Sequence, residues 1–454
     1  MSELAHDPEA LLAHALEVAK RAGATAADGL VISGRSTSAK VRLGETEKVQ
    51  QSREKGLGLR VFVGDRSATT STSDFQRASL EALIERTVAA ARVTAEDPFA
   101  GLPDEALLAE PPVDVDLELY DPDLASLDVE AALALARRAE AAALGADPRL
   151  VNSEGAEVSW GDSEVAFATS QGIMRTRRSS SVSLWTTPMA EENGEKQRDH
   201  WWAHARHLGD LGSPEAVGEE AARRALRRLG ARKPKTAKVP VIFESGVASR
   251  FLGTLAGAIN GGALYKDASY LCGKLGERVA PDFVEVTDDP HIVRGPASRD
   301  FDSEGIATRP LVIVRGGVLE SYVLDTYTGK KLGMATTRGA RRSLTGTPGP
   351  GTSNFWMKNG DKSLEELIAE VDNGLLVTDT FGFGVSTVTG DYSQGAVGLW
   401  IENGKLAYPV NELTIAGSLP DMWLAIDGLA NDRDPRRGTS APSLRIRQVT
   451  VAGS

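Results

Sequence analysis

Cysteine and histidine are scarce in this chain of 454 residues, which holds one cysteine, Cys272, and six histidines. A single cysteine excludes an intrachain disulfide and a cysteine-rich zinc module, and it fits a reducing compartment. No apolar run approaches the roughly 20 residues that a transmembrane helix needs. The N-terminal segment carries charges where a signal peptide has its apolar core. We therefore expect a cytoplasmic protein that has no membrane partner.

Complete catalytic motifs are also missing: the chain holds no G-x-S-x-G, no P-loop, no G-x-G-x-x-G and no H-E-x-x-H. The net charge of -12 disfavours a general nucleic-acid binder. One basic run, from Arg223 to Lys238, includes Arg224 and Arg227. We expect this run to be a solvated helix C-terminus followed by a linker, because cations complement the helix dipole there.

The patterns that are present predict separate groups of helices and strands. Apolar residues at helical spacing, together with capping residues, predict helices in six segments: Pro8–Arg21, Gln76–Arg92, Asp128–Leu144, Ser213–Leu229, a segment within Phe243–Gly262, and Ser363–Val371. Alternating apolar and polar residues with frequent turn signals predict strands between these helices. The glycine- and proline-rich segment Gly346–Asn354 is predicted to be a long flexible loop.

This segregation favours an α+β fold over a parallel α/β sheet. Residues 1–232 are predicted to form an N-terminal α/β-sheet domain with hairpins and flanking helices. Residues 239–454 are predicted to form a glycine-rich, mainly-β, barrel-like C-terminal domain. The linker-like segment 231–238 separates the two.

Histidines offer one candidate metal site. His200, His204 and His207 would share a face of a helix, and imidazole is a good zinc ligand. In a strand, however, His207 would face away from the other two. A second candidate, the acidic pair Asp302 and Glu304, is more typical of a turn or a salt bridge than of an acid/base dyad.

The segment Phe243–Gly262 follows an apolar strand, the place where many enzymes keep their chemistry. It offers one carboxylate, Glu244, and two serines, Ser245 and Ser249, but no histidine. Taken alone, these residues leave the function open.

Several longer blocks carry a family resemblance. The segment Thr389–Trp423, "TGDYSQGAVGLWIENGKLAYPVNELTIAGSLPDMW", resembles the signature block of the TldD/PmbA family. "FDSEGIATR", "YVLDTYTGKKLG" and the N-terminal "KVQQSREKGLGLRVFV" are similar to other family blocks. The resemblance covers nearly the whole chain.

The resemblance implies a degenerate metal site. The TldD branch of the family carries a zinc-binding H-E-x-x-x-H helix and a later cysteine ligand, whereas the PmbA branch, also called TldE, lacks them. Aligned through "GVASRFLG", Glu244 stands in place of the first histidine, Ser245 in place of the general-base glutamate and Ser249 in place of the second histidine. Arg437 is expected at the place of the cysteine.

By this resemblance the chain is a PmbA-type subunit that lacks zinc and any other cofactor. It would pair with a TldD-like zinc subunit in a heterodimeric metallopeptidase that degrades small or unfolded peptides or trims leader peptides. Asp391, Tyr392 and Ser393 are predicted to contact peptide or to serve the structure. The alternatives are a homodimeric peptidase that uses Glu244 and the three histidines, and a peptide-binding module with no protease.

Overall fold

The computed structural model describes residues 7–453. The N-terminal half begins with a helix and a long three-stranded meander. Its elements are α1 (Pro8–Arg21), β1 (Ala26–Arg42), β2 (Glu45–Val63), β3 (Arg66–Thr72), α2 (Arg77–Ala91), α3 (Glu105–Ala109), α4 (Val129–Gly145), β4 (Leu150–Thr169), β5 (Met174–Glu192), β6 (Glu195–Arg198), β7 (Trp201–Ala205) and α5 (Pro214–Leu226).

The seven strands of this half form one antiparallel sheet in the order β3-β2-β1-β4-β5-β6, with β7 also paired to β5. Side chains alternate between the two faces of a strand, so one face of the sheet can be apolar throughout. That face packs against α1 and α2 at one end and against α4 and α5 at the other. Asp7 and Ser213 cap the helices α1 and α5, each followed by a proline.

The C-terminal half contains shorter elements and more loops. They are β8 (Ala237–Phe243), α6 (Ser245–Ala258), α7 (Gly261–Leu264), β9 (Val286–Asp289), β10 (Leu311–Arg315), β11 (Val318–Leu319), α8 (Thr326–Leu332), β12 (Ala340–Arg341), β13 (Gly349–Pro350), β14 (Asn354–Met357), α9 (Leu364–Ala369), β15 (Asn373–Val385), β16 (Asp391–Glu402), β17 (Lys405–Ser418), α10 (Leu419–Leu424), β18 (Ile426–Leu429), β19 (Thr439–Ser440) and β20 (Leu444–Ala452).

Five of these strands close into a barrel. They follow the order β17-β16-β15-β8-β20, and β20 pairs back onto β17. All of these pairs are antiparallel except the parallel pair of β15 with β8. A second sheet, in the order β11-β10-β9-β14-β19, lies beside the barrel. The helix α6 packs between the two, and its apolar residues Phe251, Leu252 and Leu255 are buried in the main core.

The two halves meet at a buried ion network. Asp28 on β1 accepts hydrogen bonds from Arg60 on β2 and from Arg342 of the C-terminal half. All three side chains are buried. Burial opposes ionisation of Asp28, but the two guanidiniums outweigh it and hold the pKa of this carboxyl below its ordinary value. The N-terminal sheet is therefore fastened to the C-terminal half by charge as well as by apolar contact.

The mixed α+β fold with a β-barrel in the C-terminal half confirms the broad prediction. The helix Pro8–Arg21 has the predicted bounds, and Ser363 and Glu366 form a capping box at the start of α9. The prediction of a flexible loop over Gly346–Asn354 is wrong in part, because this segment contains β13 and the start of β14. The division into domains at residues 232 and 239 stays a prediction. No helix within residues 7–453 is long and apolar enough to cross a bilayer.

Candidate functional site

The junction of β8 and α6 places the residues that the family resemblance singled out. Glu244 lies between the strand and the helix, and its main-chain N–H donates to the Val377 carbonyl of the neighbouring strand β15 at 3.0 Å. It is the N-cap residue of α6, but its side chain makes no capping hydrogen bond. The carboxylate is therefore free to turn toward another element.

That element is α5 of the N-terminal half. Arg227 donates to both carboxylate oxygens of Glu244, at 2.8 and 3.0 Å, and Arg224 donates to one of them at 3.0 Å. All three side chains are largely buried. Burial opposes the ionisation of Glu244, but the guanidiniums of Arg227 and Arg224 prevail and lower the pKa of the carboxyl. Glu244 is thus an ionised carboxylate paired with two cations.

Ser245 and Ser249 join α6 to the chain that follows β19. The Ser245 hydroxyl donates to the Ala441 carbonyl at 2.7 Å. The Ala441 N–H donates to the Ser249 hydroxyl oxygen at 3.0 Å, and the Ser249 hydroxyl donates to the Ser245 carbonyl at 2.7 Å. Both serines are buried. Their hydroxyls are engaged in a closed set of hydrogen bonds and serve the packing of α6.

Arg437, on the segment between β18 and β19, lies over the first turn of α6. A Cβ placed on Gly246 would stand 3.5 Å from the Arg437 Nη2 atom. The guanidinium stacks on Trp202, 4.6 Å from the ring centroid, and lies 3.8 Å from Asp434. Burial lowers the pKa of Arg437 from its ordinary value, and the nearby guanidiniums act in the same direction. A positive charge therefore stands beside the helix start.

Tryptophans and arginines alternate across the boundary between the two halves. Arg224 stacks on Trp201 at 4.8 Å, and Arg436 lies 5.6 Å from Trp201 and 5.2 Å from Trp202. Arg436 also forms a bidentate salt bridge with Asp434, with hydrogen bonds of 2.8 and 2.9 Å. Such guanidinium–indole contacts contribute about 0.5–2 kcal/mol each, more where water is excluded. The region of the predicted degenerate site is filled by this stack.

The sequence-based interpretation of Arg224 and Arg227 as solvated cations is wrong. Each side chain is only 11% exposed, and both are paired with Glu244. The dipole argument explained why arginines end this helix but could not reveal a carboxylate 17 to 20 residues away. One signal was available in the sequence, because Arg224 and Arg227 are three residues apart and so share one face of α5.

The three histidines do not converge. Trp201–Ala205 is a strand, and His204 within it is half-buried, with its pKa lowered by burial and by Arg206. His200 lies 3.6 Å from Asp199, and the Nε2 atom of His207 lies 2.9 Å from the Glu118 carbonyl. Within residues 7–453, no group of three or more His, Cys, Asp and Glu residues is arranged to hold a metal ion.

In the signature block, Asp391–Ser393 begins the strand β16. Tyr392 points inward, against Phe251 at 6.0 Å and Phe243 at 6.3 Å, and burial raises its pKa to about 12. Asp391 and Ser393 point outward. Gly390, just before this strand, has φ of +82°, and the residues after it are extended.

The acidic pair Asp302 and Glu304 lies in a turn, as expected, but it is fully buried. Asp302 accepts hydrogen bonds from the main-chain N–H groups of Glu304, Ile306 and Ala340. Burial and the neighbouring charge of Asp302 raise the pKa of Glu304 to about 8. The pair organises the chain near the junction of the two halves.

The residues at the predicted degenerate site do not suit a catalytic zinc ion. Such an ion needs about three neutral or anionic protein ligands and an open position for water. Here the one carboxylate, Glu244, is taken by two guanidiniums, the hydroxyls of Ser245 and Ser249 are taken by the main chain, and Arg437 is a cation. Glu244, Ser245 and Ser249 are therefore all engaged, and none of them is free to act as the base that activates a water molecule.

Comparisons with known proteins agree with the sequence resemblance. Family profiles described as PmbA/TldA metallopeptidase domain 1, central domain and C-terminal domain match residues 27–91, 122–229 and 236–453. The metalloprotease PmbA of Escherichia coli O157:H7 is 37% identical over 447 residues, covering 98% of this chain and 96% of that protein. A metalloprotease TldD homologue of Haemophilus influenzae is 27% identical over 316 residues, covering 64% of this chain and 66% of the relative.

Solved structures show the same fold. The crystal structure of a candidate modulator of DNA gyrase from Bacteroides thetaiotaomicron superposes with a TM-score of 0.91 at 32% identity, covering 98% of this chain and 99% of that one. The profiles, the near-complete alignment with PmbA and this superposition extend over both halves of the molecule. The chain therefore belongs to the PmbA/TldD metallopeptidase family.

Proposed function

We propose that this chain is the metal-free subunit of a heterodimeric zinc metallopeptidase and that it pairs with a TldD-type chain that holds the zinc. The observation that carries the proposal is the pairing of Glu244 with Arg224 and Arg227. A carboxylate that could have been a metal ligand is instead neutralised by two buried cations. The hydroxyls of Ser245 and Ser249 are equally committed, to the main chain.

In this proposal the chain contributes part of the surface that receives an unfolded or small peptide, or a leader segment, while the partner cleaves it. Two adjoining grooves of about 350 and 330 Å³ on the N-terminal sheet support the peptide-binding part. They share Arg35, Ser36 and Trp160 in their lining. Side chains of this kind offer hydrogen-bond donors and acceptors to an extended main chain without demanding one sequence.

The test is co-expression with a TldD-type chain that carries H-E-x-x-x-H. The isolated complex should cleave an unstructured peptide, lose that activity with a chelator, and contain one zinc per pair. The chain purified alone should be free of zinc and inactive. Replacing the first histidine of the partner motif should abolish cleavage without separating the two chains.

Two results would contradict the proposal and identify its alternatives. Stoichiometric zinc in the isolated chain, lost in the Glu244→Gln variant, would indicate a homodimeric peptidase. Peptide binding by the isolated chain, with no capture of any H-E-x-x-x-H protein and unchanged cleavage by the TldD-type chain alone, would indicate a peptide-binding module.

A further inference from the structure

Exposed apolar side chains are concentrated around the turn between β15 and β16. Of the 13 large apolar side chains that are exposed in residues 7–453, three lie within residues 381–388: Phe381, Phe383 and Val388. Phe383 is fully exposed, and Phe381 and Val388 are each 55% exposed. A fourth, Leu424, ends the nearby helix α10. Scattered exposed apolar residues need no explanation, but a contiguous patch marks an interaction site.

Two grooves lie near this turn. The first, of about 380 Å³, lies between α6 and the hairpin, with Arg250 and Phe251 on one side and Phe381 and Phe383 on the other. The second, of about 250 Å³, is lined by Leu255 of α6 and by Tyr270, Trp423 and Leu424. We call the two grooves and the four exposed side chains the hairpin surface.

Contacts below the surface connect the grooves. Phe251, in the first groove, stacks on Trp423, in the second, with ring centroids 4.9 Å apart. The Tyr270 N–H donates to the Thr387 carbonyl of the turn at 3.0 Å. Trp423 is buried, and its indole N–H has no hydrogen-bond partner within residues 7–453, which is unusual for a buried tryptophan. The hairpin surface thus rests on a rigid aromatic base.

The charges at the hairpin surface are largely compensated within the chain. Arg250 pairs with Asp379 at 2.6 Å, and Lys274 pairs with Glu277 at 2.9 Å. Apolar, aromatic-rich patches with balanced charge at their edge are typical of protein–protein interfaces and their hot spots. The hairpin surface therefore adds little unpaired charge of its own to an interface.

Within residues 7–453, these four side chains stay exposed. Residues 1–6 and 454 add only Met1 and Leu4 as large apolar side chains. A second copy would bring a like charge of -12 against the first, which opposes self-association. The remaining candidate for the occupant of the hairpin surface is a homologous chain with a different sequence. Homologous chains commonly pair about a two-fold axis through equivalent patches, and TldD-type relatives align with most of this chain.

We propose that the hairpin surface, with Phe381 and Phe383 at its centre, is the docking surface for the TldD-type zinc subunit. This inference rests on the proposed function. It goes further in assigning the interface to the β15–β16 hairpin and to the exposed face of α6, rather than to the N-terminal sheet.

The test compares variants of this chain in binding to a co-expressed TldD-type chain. Phe383→Asp and Phe381→Asp should each weaken binding about 30-fold or more, the loss expected for a central aromatic hot spot. Leu406→Asp is the matched control. Leu406 is 46% exposed and lies at the opposite end of the same barrel strands, in β17, so its variant should bind like the wild type. Circular dichroism and melting curves should show that all three variants fold.

The outcomes separate the two proposals. If the wild type forms the complex and Phe383→Asp binds equally well, the hairpin surface is not the interface, while the proposed function stands. If the wild type forms no complex with a TldD-type chain, both proposals fail. If sedimentation shows a wild-type homodimer that Phe383→Asp separates, the surface is an interface but its occupant is a second copy, which overturns the assignment to a zinc subunit.

Discussion

The first turn of α6 and the part of the helix around Arg250 differ in how their side chains are surrounded. At the first turn, where the resemblance predicted a degenerate metal site, Glu244 is surrounded by Arg224 and Arg227, and Trp202 and Arg437 close the space above. Farther along the helix, Arg250 and the face beside it border open grooves and exposed phenylalanines.

The two regions differ in which side chains make contacts within the chain. At the first turn the carboxylate and both serine hydroxyls are bonded inside the chain. At the hairpin surface it is the apolar side chains that lack cover. The start of α6 thus connects the two halves of the chain, while the neighbouring surface keeps its apolar side chains exposed.

The largest expected effect is that of Glu244→Ala on stability. The substitution removes the ion-pair partner of the buried Arg227 and leaves Arg224 only its longer contacts with Asp199 and Glu220, at 3.8 and 3.7 Å, which costs about 3–5 kcal/mol of unfolding free energy. Chemical denaturation measures it. Glu320→Ala removes a glutamate from an exposed pair with Arg315 and should change the stability far less. Equal effects of the two substitutions would show that the pairing of Glu244 with Arg224 and Arg227 does not hold the two halves together.

Ser249→Ala should have an intermediate effect. It removes the acceptor of the buried Ala441 N–H, and a buried donor left without a partner costs about 1–3 kcal/mol. Ser393→Ala, at an exposed position of β16, is the control and should leave the unfolding free energy unchanged. A neutral Ser249→Ala would mean that the hydroxyl does not fasten α6 to the segment after β19.

The contribution of Glu244 should depend on pH. The pKa of its carboxyl in the folded protein lies below the ordinary value of 4.5. Such a group stabilises the folded state above its unfolded pKa, and this stabilisation is lost as the pH falls through the folded pKa. The stability difference between wild type and Glu244→Gln should therefore be constant at neutral pH and shrink as the pH falls below about 4.5.

Denaturation curves of both proteins from pH 7 to pH 3 measure this difference. Ser249→Ala removes no titrating group, so its unfolding free energy should change with pH in the same way as that of the wild type. A Glu244→Gln difference that grew on acidification would contradict the depressed pKa.

The smallest effect on the isolated chain is expected for Phe383→Ser. A fully exposed side chain makes little contribution to the fold, so the unfolding free energy should change by no more than about 0.5 kcal/mol. Phe251→Ala removes a buried ring from the same region and should cost about 3–5 kcal/mol, which shows that the assay is sensitive. A large loss of stability in Phe383→Ser would mean that Phe383 packs within the monomer and would weaken the case for a docking surface.

Local signals in the sequence predicted local structure well. The helix Pro8–Arg21 was recognisable because Asp7, Pro8 and the apolar spacing all indicate the same start. The short helix α8 was missed, although Asp325 and Thr328 form a capping box, because its seven residues include buried threonine and glycine rather than an apolar stripe.

The candidate site was predictable only in its residue types. The family resemblance implied that Glu244, Ser245 and Ser249 stand in place of a metal-binding set at the start of a helix. It could not show that Arg224 and Arg227 reach Glu244, because their helix lies in the other half of the chain and its charged end looked like an ordinary solvated terminus.

The sequence by itself therefore determined the family and the α+β character, since these depend on the identity and spacing of residues along the chain. Only the tertiary structure decided how Glu244 is paired and which apolar side chains stay exposed. Both depend on residues distant in sequence: an arginine pair on α5 that neutralises a carboxylate before α6, and a hairpin whose phenylalanines find no cover within the described fold.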